Sequence, residues 1–321
     1  MNDAHHIKDK MYGCLYGQAI GDALGFASEA MTKEDVKINY PHGISKYSDI
    51  IRDDRRKGWP IGFWTDDTEM MLAVLDCLID SHEETINTKK LASYFLSFYD
   101  KWGFTCGILT RKVLNFAPPI YAEKPIDLSK MVWELKGKNN APNGGLMRTS
   151  VVGLWPYNVM ENAINVCRMT HYDPRCVCSC IIVCSLIYNM VWMNKYLSLQ
   201  EIVEMANKYE PECNKWVISA WSNNNIAGLN LADENTSAYT YRTLSAALWA
   251  YFHAPDFETG LLTIVNEGGD ADTNAAIACA ILGAKFGYKS IPQYYVENLH
   301  YWEIYHQKIT SFINKVTGEK A

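Results

Sequence analysis

The stretch Met11–Ala27, MYGCLYGQAIGDALGFA, sets Gly17, Ala19, Gly21, Ala23 and Gly25 into one segment. Glycines at this density lower helix propensity, yet they let a second backbone approach closely. A helix of that composition belongs in a crowded centre, packed on other helices. Outward from it, the pattern stays helical. After Thr65, the run DDTEMMLAVLDCLID places Met70, Met71, Val74, Leu75, Leu78 and Ile79 at i, i+3, i+4 spacing. Its start is predicted at Asp66 or Asp67, with Asp66 and Glu69 spaced as a capping box. Leu91 to Tyr99 repeats the pattern through Tyr94, Phe95 and Phe98.

Further along, Asp173 before Pro174 reads as an N-cap followed by a first helical residue. Ser198 and Glu201 read as a second capping box. Helices are predicted over Tyr241 to Phe252, Phe257 to Asn266 and Asp272 to Phe286, the last closed by Gly287. Alternating strand patterns are scarce. The Gly, Pro and Asn-rich pieces from Tyr40 to Gly62 and from Lys136 to Gly145 read as loops. Neither a linker nor a fixed-period repeat divides the chain, so one all-α domain over residues 1–321 is the expectation.

Composition narrows the function classes. The 321 residues carry 36 acidic against 30 basic side chains, a formal charge of -6, with 48% hydrophobic and 21% charged residues. That balance fits a globular protein and excludes disorder as the main state. It lacks the basic surplus expected of a nucleic-acid binder. The apolar stretch from Cys176 to Met193 is interrupted by Ser179, Ser185 and Asn189, so it reads as a buried helix and no membrane is expected. Met1 to Lys10 lacks the apolar block of a secretory signal, which predicts a cytoplasmic protein. Ten cysteines without pairing logic are read as reduced core thiols, including Cys176, Cys180 and Cys184 on one helix face.

Two acidic clusters carry the candidate chemistry. Thr65-Asp66-Asp67-Thr68 and Gly268-Gly269-Asp270-Ala271-Asp272-Thr273 each open a predicted helix. One such cluster is accounted for by helix capping and the macrodipole. Two together offer four aspartates and several hydroxyls, an all-oxygen set suited to Mg2+ or Mn2+ and lacking the His and Cys that zinc prefers. An EF-hand reading of Asp270-x-Asp272-x-Asn274 fails, because Ala275 stands at the required glycine and Ile281 at the bidentate glutamate.

Taken in order, these motifs resemble the ADP-ribosylglycohydrolase family. The resemblance runs from about Lys10 to Tyr288. It comprises Gly13-Cys-Leu-Tyr-Gly17 through Gly21-Asp22-Ala23-Leu24-Gly25 to Glu29, Trp64 to Met70, Asn143-Gly144-Gly145-Leu146-Met147-Arg148, Thr170-His171-Tyr172-Asp173, and Gly268 to Asn274. It implies a single compact orthogonal helical domain with a central binuclear metal cleft, which residues 289–321 would complete. By motif position it also implies two Mg2+ or Mn2+ ions held by Thr65, Asp66, Asp67, Asp270, Asp272 and Thr273. Catalytic roles fall to Asp67, as ligand or water-activating base, and to Glu29, as gate or acid/base.

The same resemblance assigns Asn143, Gly144, Gly145, Met147 and His171 to substrate binding, the glycine turn offering backbone N–H groups to a diphosphate or ribose. Many relatives have glycine before that asparagine; Pro142 stands here and removes one donor. Thr236-Ser237 and the helix through Tyr241 lead to the second cluster as in relatives. Asp22 reads equally as a buried hydrogen-bonding residue, and Arg52 to Lys57 as a solvated loop or a contact with a modified protein. The implied activity is removal of ADP-ribose from a modified protein by cleavage at C1'' of the terminal ribose. Arginine-linked ADP-ribose is the first expectation; serine-linked or O-acetyl-ADP-ribose and a non-catalytic ADP-ribose binder are the alternatives. All motifs lie in one chain, so a monomer suffices.

Overall fold

A computed structural model describes residues 2–233 and 238–318. In chain order the α-helices are α1 (Asn2–Gly25), α2 (Lys33–Asn39), α3 (Asp66–Ile79), α4 (Thr88–Trp102), α5 (Ile108–Phe116), α6 (Pro118–Glu123), α7 (Pro125–Leu135) and α8 (Val159–Arg168). They continue as α9 (Pro174–Trp192), α10 (Leu199–Tyr209), α11 (Asn214–Ser222), α12 (Thr240–His253), α13 (Phe257–Val265), α14 (Ala271–Phe286), α15 (Gln293–Glu297) and α16 (Trp302–Thr317). No strand forms among the described residues; two isolated bridges, Met31 with Gly269 and Pro142 with Tyr239, tie loops together. Thr236 and Ser237, part of the sequence reading, lie outside the described residues.

The glycine-rich segment does what its composition requires. α1 and α14 run antiparallel with their backbones in direct contact. A Cβ placed on Gly13, Gly17, Gly21 or Gly25 would stand 2.3, 2.0, 2.2 and 2.4 Å from the carbonyl oxygens of Gly283, Cys279, Ala275 and Ala271. Positions four apart share one helix face, so the glycines form a continuous groove that receives α14 along its length. Both helices are buried almost all round, with Leu15, Ile20, Leu24, Ile277 and Ile281 at zero exposure. This seam brings the C-terminal end of α1, with Asp22, against the N-terminal end of α14, with Asp272.

Around the seam lies one continuous hydrophobic core. α9 is long and apolar enough to cross a membrane by length and composition, yet 78% of its apolar window is buried inside the protein. All ten cysteines are free and buried. The thiols of Cys176 and Cys184 donate to the carbonyls of Pro142 (3.2 Å) and Thr149 (3.1 Å), and burial pushes both thiol pKa values well above the ordinary range. Asp173 caps α9 and Ser198 with Glu201 forms the capping box of α10, both as read from sequence.

Three elements differ from the sequence reading. α1 starts at Asn2 rather than Met11 and ends at Gly25. α3 begins at Asp66, but its cap is Thr65, whose hydroxyl accepts from the Asp67 N–H, and the Glu69 carboxylate instead accepts from the Trp64 indole at 2.9 Å. The expected Asp66/Glu69 capping box therefore does not form, and the Asp66 carboxylate is left for the cleft. Both predicted loops contain one short 3-10 turn, Tyr47–Asp49 and Asn143–Gly145.

Candidate active site

The α1–α14 seam and the start of α3 meet at one end of a cleft of about 890 Å³. One oxygen each of Asp22, Asp67 and Asp272 lie within 4.8 Å of one another, and so do one each of Glu29, Asp270 and Asp272. Asp272 belongs to both groups, so the carboxylates form one connected cluster that could hold a cation. Asp66 lines the same cleft outside these two groups, as does Thr273. Thr65 does not line it; its hydroxyl caps α3 and donates to Asp67 at 3.2 Å.

Each carboxylate is positioned by a nameable device. Asp22 sits inside α1 and accepts the backbone N–H groups of Thr65 and Thr68 (2.9 Å each) and the Thr68 hydroxyl (2.6 Å). It thus satisfies two donors at the start of α3 from a neighbouring helix, a capping role played at long range. Gln18, one turn earlier, donates to the carbonyls of Asp67 (3.3 Å) and Met147 (2.8 Å) and accepts from the Ser150 hydroxyl. Asp270 precedes α14 without any side-chain capping bond. Its backbone is set by Gly268 and Gly269, both at positive φ (78° and 72°), and by a two-way bridge: Gly269 N–H to Met31 at 2.8 Å, Ala30 N–H to Gly269 at 2.7 Å.

The same bridge holds the turn carrying Glu29. Buried Arg56 donates to the carbonyls of Phe26 (2.9 Å) and Glu29 (2.6 Å), which anchors the 52–57 loop to that turn. Arg55 forks onto the Glu29 carboxylate itself and lines the cleft. One arginine fixes the backbone of Glu29 and its neighbour fixes the side chain. The loop is therefore part of the cleft rim and not simply a solvated excursion.

Burial dominates the electrostatics. It pushes the Asp22 and Asp270 carboxyls up to about 6 and that of Asp66 up to about 8, and holds Asp67 and Asp272 well above the usual carboxylate range, with neighbouring carboxylates adding to the shift for all but Asp22. Asp67 Oδ1 is buried without a hydrogen-bond partner. An orphaned, desolvated carboxylate oxygen inside a cluster of like charges is what a hard cation satisfies. The donors present fit such an ion.

Across the cleft floor, Asn143 donates from its amide to Asp270 and to the Thr243 hydroxyl (2.8 Å), and Thr243 donates on to Asn274 (2.9 Å). This donor opposes the burial effect on Asp270. Asn143→Ala is therefore expected to raise the Asp270 pKa above about 6 in the metal-free protein, read from its carboxyl carbon shift in an NMR titration. An unchanged midpoint would show that the amide does not act on Asp270.

Gly144 and Met147 line the cleft with Asn143, whereas Gly145 packs behind them against His171 and Cys167. His171 lines the cleft too, and burial holds it well below the ordinary histidine pKa, with Arg148 adding to the effect. Its Nδ1 is 2.8 Å from the Thr170 hydroxyl, which already accepts from Arg148 at 2.6 Å. The neutral ring thereby holds Nδ1 on Thr170 and presents Nε2 beside Gly144. Arg148 itself is fully buried over the Phe95 ring and serves the scaffold.

Fold and site together define an all-helical protein with a deep, carboxylate-lined cleft. A family model described as ADP-ribosylglycohydrolase matches residues 3–321, and the chain belongs to that family. The chain is 24% identical over 300 residues to the ADP-ribosyl-[dinitrogen reductase] glycohydrolase of Rhodospirillum rubrum, covering 91% of each protein. It is 24% identical over 309 residues to an ADP-ribosylarginine hydrolase of Serratia proteamaculans, covering 91% of this chain and 75% of that one. A solved structure titled ADP-ribosylglycohydrolase-related protein complex superposes with a TM-score of 0.72 at 24% identity, covering 97% of this chain and 99% of that chain, and shares its fold.

Proposed function

We propose that this protein is a divalent-cation-dependent hydrolase that releases ADP-ribose from a modified protein side chain, with arginine-linked ADP-ribose as the substrate. The observation that carries the reading is the pair of carboxylate groups sharing Asp272 at one end of the cleft. Family membership and the activities for which the two relatives are named support it. Two ions, Mg2+ or Mn2+, would be held by Asp66, Asp67, Asp270 and Asp272, with the Thr273 hydroxyl beside them and Thr65 acting through its hydrogen bond to Asp67. Bound there, such cations supply a lowered water pKa and polarise the ribose hydroxyls.

The chain's own residues then have defined tasks. Asp67 and Glu29 are the carboxylates able to take a proton from the attacking water, Asp67 from inside the cluster and Glu29 from the rim. Asn143 keeps Asp270 ionised and in place. Neutral His171 presents its Nε2 to the bound ligand beside Gly144. A cleft of this volume lies within the range for small-molecule sites, roughly 300–1,000 Å³, and one chain contains every group named.

Matched arginine-linked and serine-linked ADP-ribosylated peptides, incubated with Mg2+, Mn2+ or EDTA, test the proposal through release of free ADP-ribose. The expected result is metal-dependent release from the arginine linkage. Release that survives EDTA would sink the cation role. Release from the serine linkage alone would reassign the substrate, and ADP-ribose binding without release from either would make the protein a binder.

A further inference from the structure

The cleft carries both signs of charge. Besides the aspartates, Lys112 on α5 and Lys136, the residue that closes α7, both line it, with Asn139 and Asn140. α5 and α7 pack against each other, which brings the two side chains together. Their amino groups are within hydrogen-bonding reach, and Lys136 holds the Lys112 pKa below the ordinary lysine value through that contact and through charge repulsion. Among the described residues, no carboxylate forms an ion pair with either lysine. Two unneutralised ammonium groups side by side repel, and an anion held by both replaces the repulsion with charge-assisted hydrogen bonds.

The glycine turn offers such an anion at most two backbone donors and no full charge. Asn143 N–H is donated to the Ala238 carbonyl at 3.0 Å, Leu146 and Met147 N–H groups to the Asn143 carbonyl at 2.7 and 3.0 Å, and Pro142 has none. Within the turn itself that leaves the N–H groups of Gly144 and Gly145 as its only remaining backbone donors. The turn does connect the aspartates with α5. Asn143 bonds Asp270 on one side, and on the other the Cβ position of Gly144 stands 3.2 Å from the hydroxyl of Thr110, two residues before Lys112 on α5.

We propose that Lys112 and Lys136 form a clamp for a diphosphate group and supply the charge that the Asn143–Gly145 turn lacks. In the reading given under Proposed function, on which this ligand assignment rests, the diphosphate is that of ADP-ribose. The terminal ribose lies against the aspartates and the diphosphate runs past Gly144 toward the lysines. The cleft's opposite charges thus orient the ligand: the cation-binding end takes the ribose hydroxyls, and the ammonium end takes the phosphates.

Titration calorimetry on the full chain in EDTA tests this with three probes: inorganic pyrophosphate, ADP-ribose and uncharged adenosine. The chelator prevents phosphate from binding through a cation at the aspartates. The double variant Lys112→Gln, Lys136→Gln is expected to bind pyrophosphate and ADP-ribose about tenfold more weakly or worse, with a flatter salt dependence and unchanged adenosine binding. The double arginine variant should retain affinity. Both side chains are exposed, so thermal melting should not change.

Equal binding of pyrophosphate and ADP-ribose by wild type and the glutamine variant overturns the clamp and leaves the proposed function standing. Pyrophosphate bound through the lysines without ADP-ribose binding preserves the clamp and removes the proposed function. A variant that loses affinity only for a modified protein, and not for free ADP-ribose, also overturns the clamp, because the lysines would then read the protein. Wild type that binds neither phosphate probe overturns it outright.

Discussion

Asp272→Asn is expected to lower turnover by more than about 100-fold, beyond what losing a supporting residue costs, while making the metal-free protein more stable. Asn keeps the oxygen that accepts the Thr273 N–H at 2.9 Å, so the start of α14 survives. What disappears is the carboxylate common to both groups of the cluster. In the metal-free protein that carboxylate is buried beside Asp67 and Asp270, and its removal relieves repulsion that no bound ion offsets. Differential scanning calorimetry should give a higher midpoint for the variant in EDTA and a smaller rise on adding Mn2+. Full turnover, or a cation-induced rise equal to wild type, would remove Asp272 from the ligand set.

The pH dependence follows with a definite sign. An aspartate titrates near 3.9 in the unfolded chain, whereas Asp22 and Asp270 titrate at about 6 and Asp66 at about 8 in the folded protein. The folded state therefore holds protons that the unfolded state has released. Stability is fully present below the unfolded value and is lost as pH rises through the folded values. Metal-free protein should melt higher at pH 5.5 than at pH 8.5, within a decline that begins near about pH 4, where the unfolded aspartates ionise, and ends at about pH 8, where Asp66 has ionised in the folded protein. Saturating Mn2+ should flatten or reverse that slope, because a bound cation favours the ionised form.

The second large effect is structural. Gly17→Ala puts a methyl 2.0 Å from the Cys279 carbonyl oxygen, which is backbone and cannot rotate away. The helices must separate along the whole seam, at a cost of about 3 kcal/mol or more, the upper range of overpacking. Chemical denaturation should show the loss, and cation affinity should fall with it because Asp22 and Asp272 are carried on the two separated helices. Gly58→Ala is the control: nothing lies within 4 Å of its Cβ position, and neutrality or a gain of about 0.4–1 kcal/mol is expected. Equal stability of the Gly17 variant and wild type would refute the close-contact seam.

The glycine stripe of α1, the start of α3 and the cap of α9 were legible because local composition and spacing express them directly. The two aspartate clusters were legible for the same reason. Asp22 was legible as a buried hydrogen-bonding residue but not as a cap, since its partners Thr65 and Thr68 belong to the start of another helix, α3. Gln18 gave no signal at all. Arg55 and Arg56 looked like one charged run, yet one is buried under Phe26 and the other reaches the cleft, a division that only the 26–30 turn creates. The Lys112–Lys136 pairing depends on how α5 meets α7, and neither lysine is unusual alone.

The α1–α14 seam has a consequence for how the molecule is made. Its two strips of backbone are about 250 residues apart, so α1 leaves the ribosome on the order of tens of seconds before its partner, at synthesis rates of about 5–20 residues per second. Throughout that interval its groove has nothing to receive, and Asp22 waits without Asp272. The carboxylate cluster is accordingly completed only after α14 has followed α1 out of the ribosome, so cation capture, as proposed above, would report that α14 has been made.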